Sequence, residues 1–477
     1  MIKKAKNRRI GMTYTEAQSF LDTIGQSHLL EGWADLTEVQ QKHLLEQIAA
    51  LNPPLIRQMR ELVQTRAASR QEEPEAAEPM EISQGKQTAA LREGERALRQ
   101  GKVGLILVAG GQGTRLGFEG PKGCFSIGPL SGDSLFAIHA KKVLALQRRY
   151  AVPLPLYIMT SEANDSATRA FFEEHHFFGL PPPTVHFFRQ GMLPAMFPDG
   201  RLVLEDRGRL FWAPDGHGGL LQALEVNGLL DHMRGQGIET LFYFQVDNPL
   251  VAVADPVFVG LHRLHHADYS LKVCGKRDAD EGLGVIVRHG PNGLRIVEYT
   301  ELTPEQKKAR RPDGRLRFYW GSVAIHLFSR SFLEQTARIG LPLHVAHKKV
   351  PYFDGVRTVQ PAQPNAYKFE KFIFDALPMA GTALAVAFDR AEEFSPVKNA
   401  TGADSPLTAQ RDMTRKFARW LEQAGARVAR RADGEIPFAI EIDPLVADSP
   451  EALRARIPVG LTVSEDLWLN EARPDKP

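Results

Sequence analysis

Short apolar runs alternate with amphipathic stretches through the middle of the chain. The apolar runs predict buried strands, and apolar residues at helical spacing predict helices between them. The predicted strands are 103–108, 156–160, 185–188 and 240–246, and the predicted helices are 134–147, 164–175 and 220–233. This alternation is typical of βαβ units, so we expect an α/β fold with a Rossmann-like central sheet that is mixed but mostly parallel.

The N-terminal region has a helical pattern and no candidate chemistry. Apolar residues recur at helix-face spacing between 14 and 66, and Thr37 with Gln40 predicts a capping box at a helix start. Residues 71–81 are acidic and broken by prolines, which favours an exposed linker. We expect an N-terminal helical region with its linker at 1–100, a catalytic domain at 101–398 and a small C-terminal domain at 399–477.

The region from 270 to 328 predicts antiparallel strands instead of βαβ units. The runs 285–288 and 294–299 flank the turn sequence Pro291-Asn292-Gly293, which predicts a hairpin. Further strands are predicted at 319–328 and 383–388. We expect this addition to cover one end of a cleft formed at the strand ends of the parallel sheet.

Histidines cluster at two places along the chain. His262, His265 and His266 lie on a predicted amphipathic helix, and His175 and His176 end another predicted helix. A metal site is one interpretation, but no cysteine accompanies these histidines. We therefore expect solvated helix surfaces at both places.

A glycine-rich loop follows the strand at 103–108. Gly110, Gly111 and Gly113 allow the backbone to approach a ligand, so that successive N–H groups converge on an anion. Arg115 and Lys122 add two cations within a dozen residues. The loop therefore predicts a phosphate site. Its two cations suit a triphosphate that is attacked by a nucleophile.

Two better-known glycine loops do not match this one. A dinucleotide fingerprint needs glycine three positions after Gly113, where Leu116 stands. A Walker loop needs glycine, lysine and serine or threonine in succession, and the loop contains no such triplet. A plain βα turn remains the structural alternative, although the added threonine, arginine and lysine argue against it.

Composition narrows the class of protein. Among 477 residues, 59 Lys and Arg against 57 Asp and Glu give a net charge of +2, so bulk charge does not suggest a nucleic acid or membrane partner. The two cysteines, Cys124 and Cys274, suit a reducing compartment. The residues after the basic stretch 3–9 are too polar for a signal peptide, so we expect a cytoplasmic protein.

The glycine loop carries GGQGTRLG followed by PKG, and six further segments follow it along the chain. They are QGMLPA at 190–195, APDGHGG at 213–219, VDN at 246–248, VEYTE at 297–301, EKFIFD at 370–375 and FSPVKN at 394–399. In this order the segments resemble the UDP-N-acetylhexosamine pyrophosphorylases, which are eukaryotic-type UTP-dependent nucleotidyltransferases. The resemblance implies UTP and a sugar 1-phosphate as substrates, Mg²⁺ or Mn²⁺ as cofactor, and a monomer or homodimer.

The resemblance also implies roles for individual residues. The catalytic cations would be Arg115, Lys122 and Lys398, and Asp247 would hold the metal ion. Nucleotide-binding residues would be Val108, Ala109, Gly110, Gly111, Gly113, Thr114, Lys122, Gln190, Gly216, Asp247 and Lys368. Sugar-binding residues would be His217, Gly284, Glu298, Tyr299, Ser322, Phe372, Phe374 and Lys398.

The physical reasons differ between the two sets. Gln190 offers the donor and acceptor needed to read a pyrimidine edge, and Asp247 follows a strand where a hard cation could join phosphate oxygens. Phe372 and Phe374 alternate, so on one strand they would share a face and form a wall for an N-acetyl methyl group. Ordinary core is the structural alternative for both rings.

The chain departs from the family pattern at two sugar-side positions. His217 and Ser322 stand where the family has asparagine, which has more donor and acceptor capacity than either. N-acetylglucosamine 1-phosphate is the leading substrate, and glucose 1-phosphate, galactose 1-phosphate or several sugars are the alternatives. A nucleotide-sugar-binding regulator without turnover and an NAD-dependent dehydrogenase are weaker hypotheses.

Overall fold

The structure is a computed structural model, which describes residues 11–65, 73–291 and 293–471. Its α-helices are α1 (Tyr14–Ile24), α2 (Glu38–Ala49), α3 (Pro53–Thr65), α4 (Gln84–Arg99), α5 (Leu135–Tyr150), α6 (Asp165–Glu174), α7 (Leu220–Val226), α8 (Leu229–Gly235), α9 (Pro256–Leu264), α10 (Pro304–Lys308), α11 (Arg330–Ile339), α12 (Arg390–Glu393), α13 (Pro406–Ala424) and α14 (Pro450–Arg454).

Most of the strands are short. They are β1 (Val103–Val108), β2 (Leu156–Thr160), β3 (Val185–Arg189), β4 (Met192–Pro194), β5 (Leu204–Asp206), β6 (Arg209–Leu210), β7 (Trp212–Pro214), β8 (Thr240–Gln245), β9 (Tyr269–Gly275), β10 (Val285–His289), β11 (Gly293–Val297), β12 (Trp320–Ser329), β13 (His344–Lys348), β14 (Tyr352–Phe353), β15 (Thr358–Val359), β16 (Ala366–Glu370), β17 (Ala383–Ala387), β18 (Arg427–Val428), β19 (Ile440–Ile442), β20 (Thr462–Val463) and β21 (Leu467–Leu469).

Contacts group the chain into two compact units. Of the residues that the structure describes, those within Met1–Glu73, Gly191–Leu220 and Leu341–Ile373 form the small unit, and those within Pro74–Gln190, Leu221–Gly340 and Phe374–Pro477 form the sheet unit. The division of the chain at residues 100 and 398, made from the sequence, stays a prediction.

The sheet unit contains a mixed sheet whose parallel part is the order β3, β2, β1, β8. Its remaining strands extend that part. β12 runs antiparallel to β8 and to β9, β17 runs parallel to β9, and β10 joins β11 and β12 in antiparallel pairs. The expected mixed, mostly parallel α/β arrangement is confirmed, and so is the hairpin, since His289 pairs with Gly293.

Burial explains why this sheet forms. Every residue of β1 except Val108 is buried, as the continuous apolar run predicts for a parallel strand covered on both faces. Helix α5 packs Phe136, Val143 and other apolar residues into the same core. The parallel strands point the same way, so the segments after β1, β3 and β8 lie at one edge of the sheet.

The small unit combines the N-terminal helices with pairs of short antiparallel strands. α1, α2 and α3 contribute Leu21, Ile48 and Met59 to a core that also contains Met196 and Phe369. The predicted capping box forms, because the Thr37 side chain accepts from Gln40 N–H while the Gln40 side chain accepts from Thr37 N–H.

Two expectations about local structure are wrong or incomplete. Residues 220–233 form two helices instead of one, because Gly228 adopts a left-handed φ of 70° between them. Residues 73–81 are not simply an exposed linker. Ala76 and Met80 form bridges to Val287 and Val386 of the sheet, and Ala77 is 4% exposed. Gln71 and Glu72 lie outside the described residues.

The histidine predictions had different outcomes. His175 and His176 are exposed, as expected. His262 is buried, contrary to prediction, with Nδ1 2.8 Å from the Ser270 hydroxyl, whereas His265 and His266 are exposed. Within the described ranges no cluster of three His, Cys, Asp or Glu side chains is placed to hold a metal ion. No helix there has both the length and the apolarity to cross a membrane.

Candidate active site

The glycine loop begins directly after β1 and is held open by its own backbone. Gly113 N–H donates to Gly120 O at 2.9 Å and Lys122 N–H donates to Gly111 O at 3.0 Å, so the loop folds back on itself. A Cβ at Gly111 would meet no atom within 4 Å. The amides of Gly110 and Gly111 make no hydrogen bond with the described residues, which leaves both donors able to bind an anion.

Two loop residues that were predicted to bind the nucleotide make contacts within the protein instead. Ala109 N–H donates to Met159 O at 2.8 Å, so this amide belongs to the sheet and is not open to a ligand in this structure. A Cβ at Gly113 would lie 2.6 Å from the Phe118 ring, which explains glycine there by internal packing. Val108 ends β1, and Thr114 is exposed in a 3₁₀ turn with Arg115.

Gln190 lies against the glycine loop. It is the first residue after β3, and a Cβ at Gly110 would approach its Nε2 and Oε1 to 3.2 Å. Both polar atoms of the Gln190 amide therefore lie over the part of the loop where the backbone is bare. The sequence predicted both groups for the nucleotide, and the sheet brings them together.

A lysine and a carboxylate face each other at the end of the loop. Lys122 Nζ lies 3.7 Å from Asp247 Oδ2, and the two side chains are 16% and 14% exposed. Lys122 starts a 3₁₀ turn after Pro121, whereas Asp247 follows β8. Partial burial strengthens the attraction between these charges.

The other two predicted cations differ in their surroundings. Arg115 is exposed and forms no ion pair with the described residues. Lys398 is half-buried, with its Nζ 6.0 Å from the Phe394 ring centre. Val397 N–H donates to Asp247 O at 2.8 Å, which places Lys398 one residue from a direct contact with the Asp247 backbone.

Asn164 supports the glycine loop and was not predicted. Its Nδ2 donates to Ala109 O at 2.9 Å and to Gly111 O at 3.2 Å, while its Oδ1 accepts from Ser161 N–H. The residue is 1% exposed and precedes α6. Its only signal in the sequence is an asparagine before a helix, which is equally typical of a helix cap.

Three predicted sugar residues meet at the antiparallel end of the sheet. Ser322 N–H donates to Gly284 O at 2.8 Å, and a Cβ at Gly284 would lie 3.1 Å from Glu298 Oε1. Glu298 comes directly after β11, and Tyr299 is 38% exposed next to it. A side chain larger than hydrogen at Gly284 would therefore displace the Glu298 carboxylate.

The segment Asp215–Gly219 of the small unit is closely packed. Asp215 N–H donates to Gly191 O at 3.0 Å, and Lys371 N–H donates to Asp215 O at 2.7 Å. Gly216 has φ +80°, and a Cβ there would lie 2.6 Å from Lys371 O. Asp215 is 4% exposed, and its Oδ1 has no hydrogen-bond partner in the described structure. Burial raises the pKa of the Asp215 carboxyl to about 6, against the opposing effect of Lys371.

One ring nitrogen of His217 is hydrogen-bonded within the small unit. Its Nδ1 accepts from Ile373 N–H at 3.2 Å, which leaves the ring proton on Nε2. The ring stacks on Phe372 with centroids 5.4 Å apart. Burial lowers the pKa of His217 to about 4, so the imidazole is neutral at pH 7.

The expected aromatic wall on one strand is wrong. β16 ends at Glu370, Phe372 lies beyond it, and Phe374 belongs to the 3₁₀ helix Ile373–Met379. The two rings therefore do not share a strand face, because the chain leaves the extended conformation between them. Lys368 lies on β16, its Nζ is 4.7 Å from the Phe211 ring centre, and burial lowers its pKa.

A parallel sheet with a bare anion-binding loop, a lysine and a carboxylate beyond its strand ends is typical of a nucleotide-binding α/β protein. The family model described as UTP–glucose-1-phosphate uridylyltransferase matches residues 55–416. The chain therefore belongs to this family, and the resemblance found in the sequence is confirmed.

Individual relatives cover nearly the whole chain. A UDP-N-acetylhexosamine pyrophosphorylase-like protein 1 of Xenopus tropicalis is 38% identical over 90% of this chain and 91% of its own length. A UDP-N-acetylglucosamine pyrophosphorylase of Saccharomyces cerevisiae is 35% identical over 87% of this chain and 92% of its own. The crystal structure of the uridine diphosphate N-acetylglucosamine pyrophosphorylase of Trypanosoma brucei, in complex with inhibitor, has a TM-score of 0.80 and 27% identity, covering 95% and 99%.

Proposed function

We propose that this nucleotidyltransferase joins N-acetylglucosamine 1-phosphate to UTP, giving UDP-N-acetylglucosamine and pyrophosphate. The observation that carries the proposal is the open loop of Gly110 and Gly111 beside Gln190, with Lys122 facing Asp247 across 3.7 Å. The names of the relatives from Xenopus tropicalis and Saccharomyces cerevisiae support the same substrates.

The proposed chemistry is an in-line displacement. A phosphate oxygen of the sugar phosphate attacks the α-phosphorus of UTP, a new P–O bond forms, and the bond to the departing pyrophosphate breaks. The nucleophile is already an anion at neutral pH, so the protein contributes position and charge stabilisation. Lys122 neutralises the α-phosphate, Arg115 binds the pyrophosphate with two donors, and Lys398 binds the sugar phosphate.

We also propose a Mg²⁺ or Mn²⁺ ion at Asp247. A single carboxylate, that of Asp247, suits this role, since Mg²⁺ takes one or two carboxylates and completes its coordination with water and substrate phosphates. When bound, the ion would neutralise charge on the phosphate oxygens.

One observation favours a second candidate, a uridylyltransferase that accepts glucose 1-phosphate, galactose 1-phosphate or several sugars. His217 uses Nδ1 inside its own unit, and a neutral imidazole has one donor and one acceptor in all, whereas an asparagine amide has two donor hydrogens and two acceptor lone pairs. Ser322 has a shorter reach than asparagine. Selectivity for the sugar therefore rests on Glu298, Tyr299 and the space at Gly284.

Pyrophosphate release separates these candidates. Purified protein with Mg²⁺ and UTP is given each of the three sugar 1-phosphates, and kcat/KM is compared. We expect the highest value with N-acetylglucosamine 1-phosphate. A clear preference for an unacetylated sugar supports the second candidate, and UTP binding without product from any sugar supports a non-catalytic regulator.

The free cysteines Cys124 and Cys274 support the proposal of a cytoplasmic enzyme.

A further inference from the structure

Three basic side chains hold the backbone carbonyls on either side of Asp247. His139 Nε2 donates to Val246 O at 2.9 Å, and Lys416 Nζ donates to Leu250 O at 3.1 Å. Lys142 Nζ donates to Pro249 O at 2.5 Å and to Val251 O at 2.8 Å. His139 and Lys142 come from α5 and Lys416 from α13, so two helices fix this one segment.

The two lysines are unusual because no carboxylate pairs with them. Neither Lys142 nor Lys416 forms an ion pair within the described ranges, whereas Lys122, Lys141 and Lys272 each do. Burial lowers the pKa of Lys142 well below its ordinary value and that of Lys416 to about 8. Placing two amines here is costly, so packing alone does not explain them. Their common feature is the carbonyl groups that they hold.

The held segment is also tied to the segment that carries Lys398. Asn248 Nδ2 donates to Glu393 O at 2.7 Å, and Asn248 Oδ1 accepts from Ser395 N–H at 3.2 Å. Together with the bond from Val397 N–H to Asp247 O, these contacts join residues 246–251 to 393–397. A displacement of the first segment would therefore move both Asp247 and Lys398.

We propose that Lys142 and Lys416, together with His139, are positioning residues that fix the Asp247 segment and through it Lys398. They touch neither substrate in this scheme and act only on backbone carbonyls. A shift of about 1 Å in catalytic groups is enough to lower turnover by an order of magnitude or more. This inference rests on the proposed function for its effect on catalysis, but not for its effect on the backbone.

The test compares Lys142→Met and Lys416→Met with Lys141→Met in the full-length protein. Lys141 is the neighbour of Lys142 on α5, and it bonds Asp133 and Asp443 at 2.6 and 2.7 Å instead of the carbonyls. Hydrogen–deuterium exchange is measured on peptides covering 246–255 and, as an internal control, 103–108. We expect exchange about tenfold faster at 246–255 in the first two variants, unchanged exchange at 103–108, and no local change in Lys141→Met.

Steady-state kinetics adds a second measurement. We expect kcat to fall roughly tenfold in Lys142→Met with KM for UTP within about twofold, because the glycine loop is untouched. Unchanged exchange at 246–255 in both methionine variants overturns the inference, and so does equal loosening in Lys141→Met. If Lys142→Met yields little folded protein, Lys416→Met, which removes one bond, decides the question. Absence of pyrophosphate release by the wild-type protein refutes the proposed function, while the exchange comparison still tests the inference.

Discussion

The glycine loop and the Asp215–Gly219 segment are both rich in glycine, yet they use it differently. At Gly111 a Cβ would meet open space, and the neighbouring amides keep their donors. At Gly219 a Cβ would lie 2.0 Å from Asp215 Oδ1, and at Gly216 the backbone is left-handed. At Gly111 glycine leaves access for a ligand, whereas at Gly216 and Gly219, as at Gly113 of the glycine loop, it permits close internal packing.

This contrast shows why the same sequence signal has two physical meanings. Hydrogen bonds from Asn164 and within the loop backbone support the inner side of the glycine loop. Its outer side therefore remains accessible to a ligand. Polar groups of the Asp215–Gly219 segment form hydrogen bonds with Gly191, Lys371 and Ile373. We therefore expect substitution of Gly111 to act on nucleotide binding and substitution of Gly216 or Gly219 to act first on stability.

The largest expected effect on turnover comes from replacing Lys122. Lys122→Ala should lower kcat by about a hundredfold or more, because it removes a cation from the reacting phosphates, with a smaller change in UTP affinity. Turnover by pyrophosphate release and UTP affinity by calorimetry measure the two effects. Lys102→Ala is the control, since Lys102 pairs with Glu239 away from the loop. Equal losses of turnover and affinity would contradict a role in the transition state.

The two glycine loops are compared directly by Gly219→Ala and Gly111→Ala. The first places a methyl group against the buried Asp215 carboxylate and should reduce the free energy of unfolding by about 1–3 kcal/mol. The second should change unfolding by less than about 0.5 kcal/mol but weaken UTP binding. Thermal unfolding and UTP titration measure both. The contrast between the loops breaks down if Gly111→Ala is the less stable variant.

The buried Asp215 carboxyl predicts a pH dependence of stability. Its folded pKa of about 6 lies above its ordinary value of 3.8, so the folded state binds more protons between these values. The contribution to stability is thus complete below pH 4 and is lost as pH rises through 6. Asp215→Asn should remove this slope, with melting temperatures a few degrees closer between pH 4.5 and 7 than in the wild type. An unchanged slope would show that Asp215 titrates normally.

The smallest expected effect concerns the sugar. His217→Asn restores the residue type of the family pattern and should raise the ratio of kcat/KM for N-acetylglucosamine 1-phosphate over glucose 1-phosphate by about tenfold or less. The measurement is the same pyrophosphate assay with both sugars, and Ser322→Asn tests the second departure in parallel. If neither variant alters the ratio, His217 and Ser322 do not determine which sugar is used.

Local pattern predicted much of the sheet unit correctly. β1 and β2 begin and end where the apolar runs do, and the expected hairpin forms with His289 paired to Gly293. These predictions succeed because a parallel strand buried on both faces needs continuous apolar residues, and a tight turn needs particular residue types. The phosphate loop was predictable for the same reason, since bare backbone requires glycine.

Long-range packing decided what the sequence did not show. Asn164, Lys142 and Lys416 gained their partners from segments 53 to 166 residues away, and the position of Phe374 depended on where β16 ended. The sequence by itself determined the family, the parallel strands and the candidate loop. Tertiary structure alone decided which glycines face open space and which side chains support the loop, because those properties depend on neighbours remote in sequence.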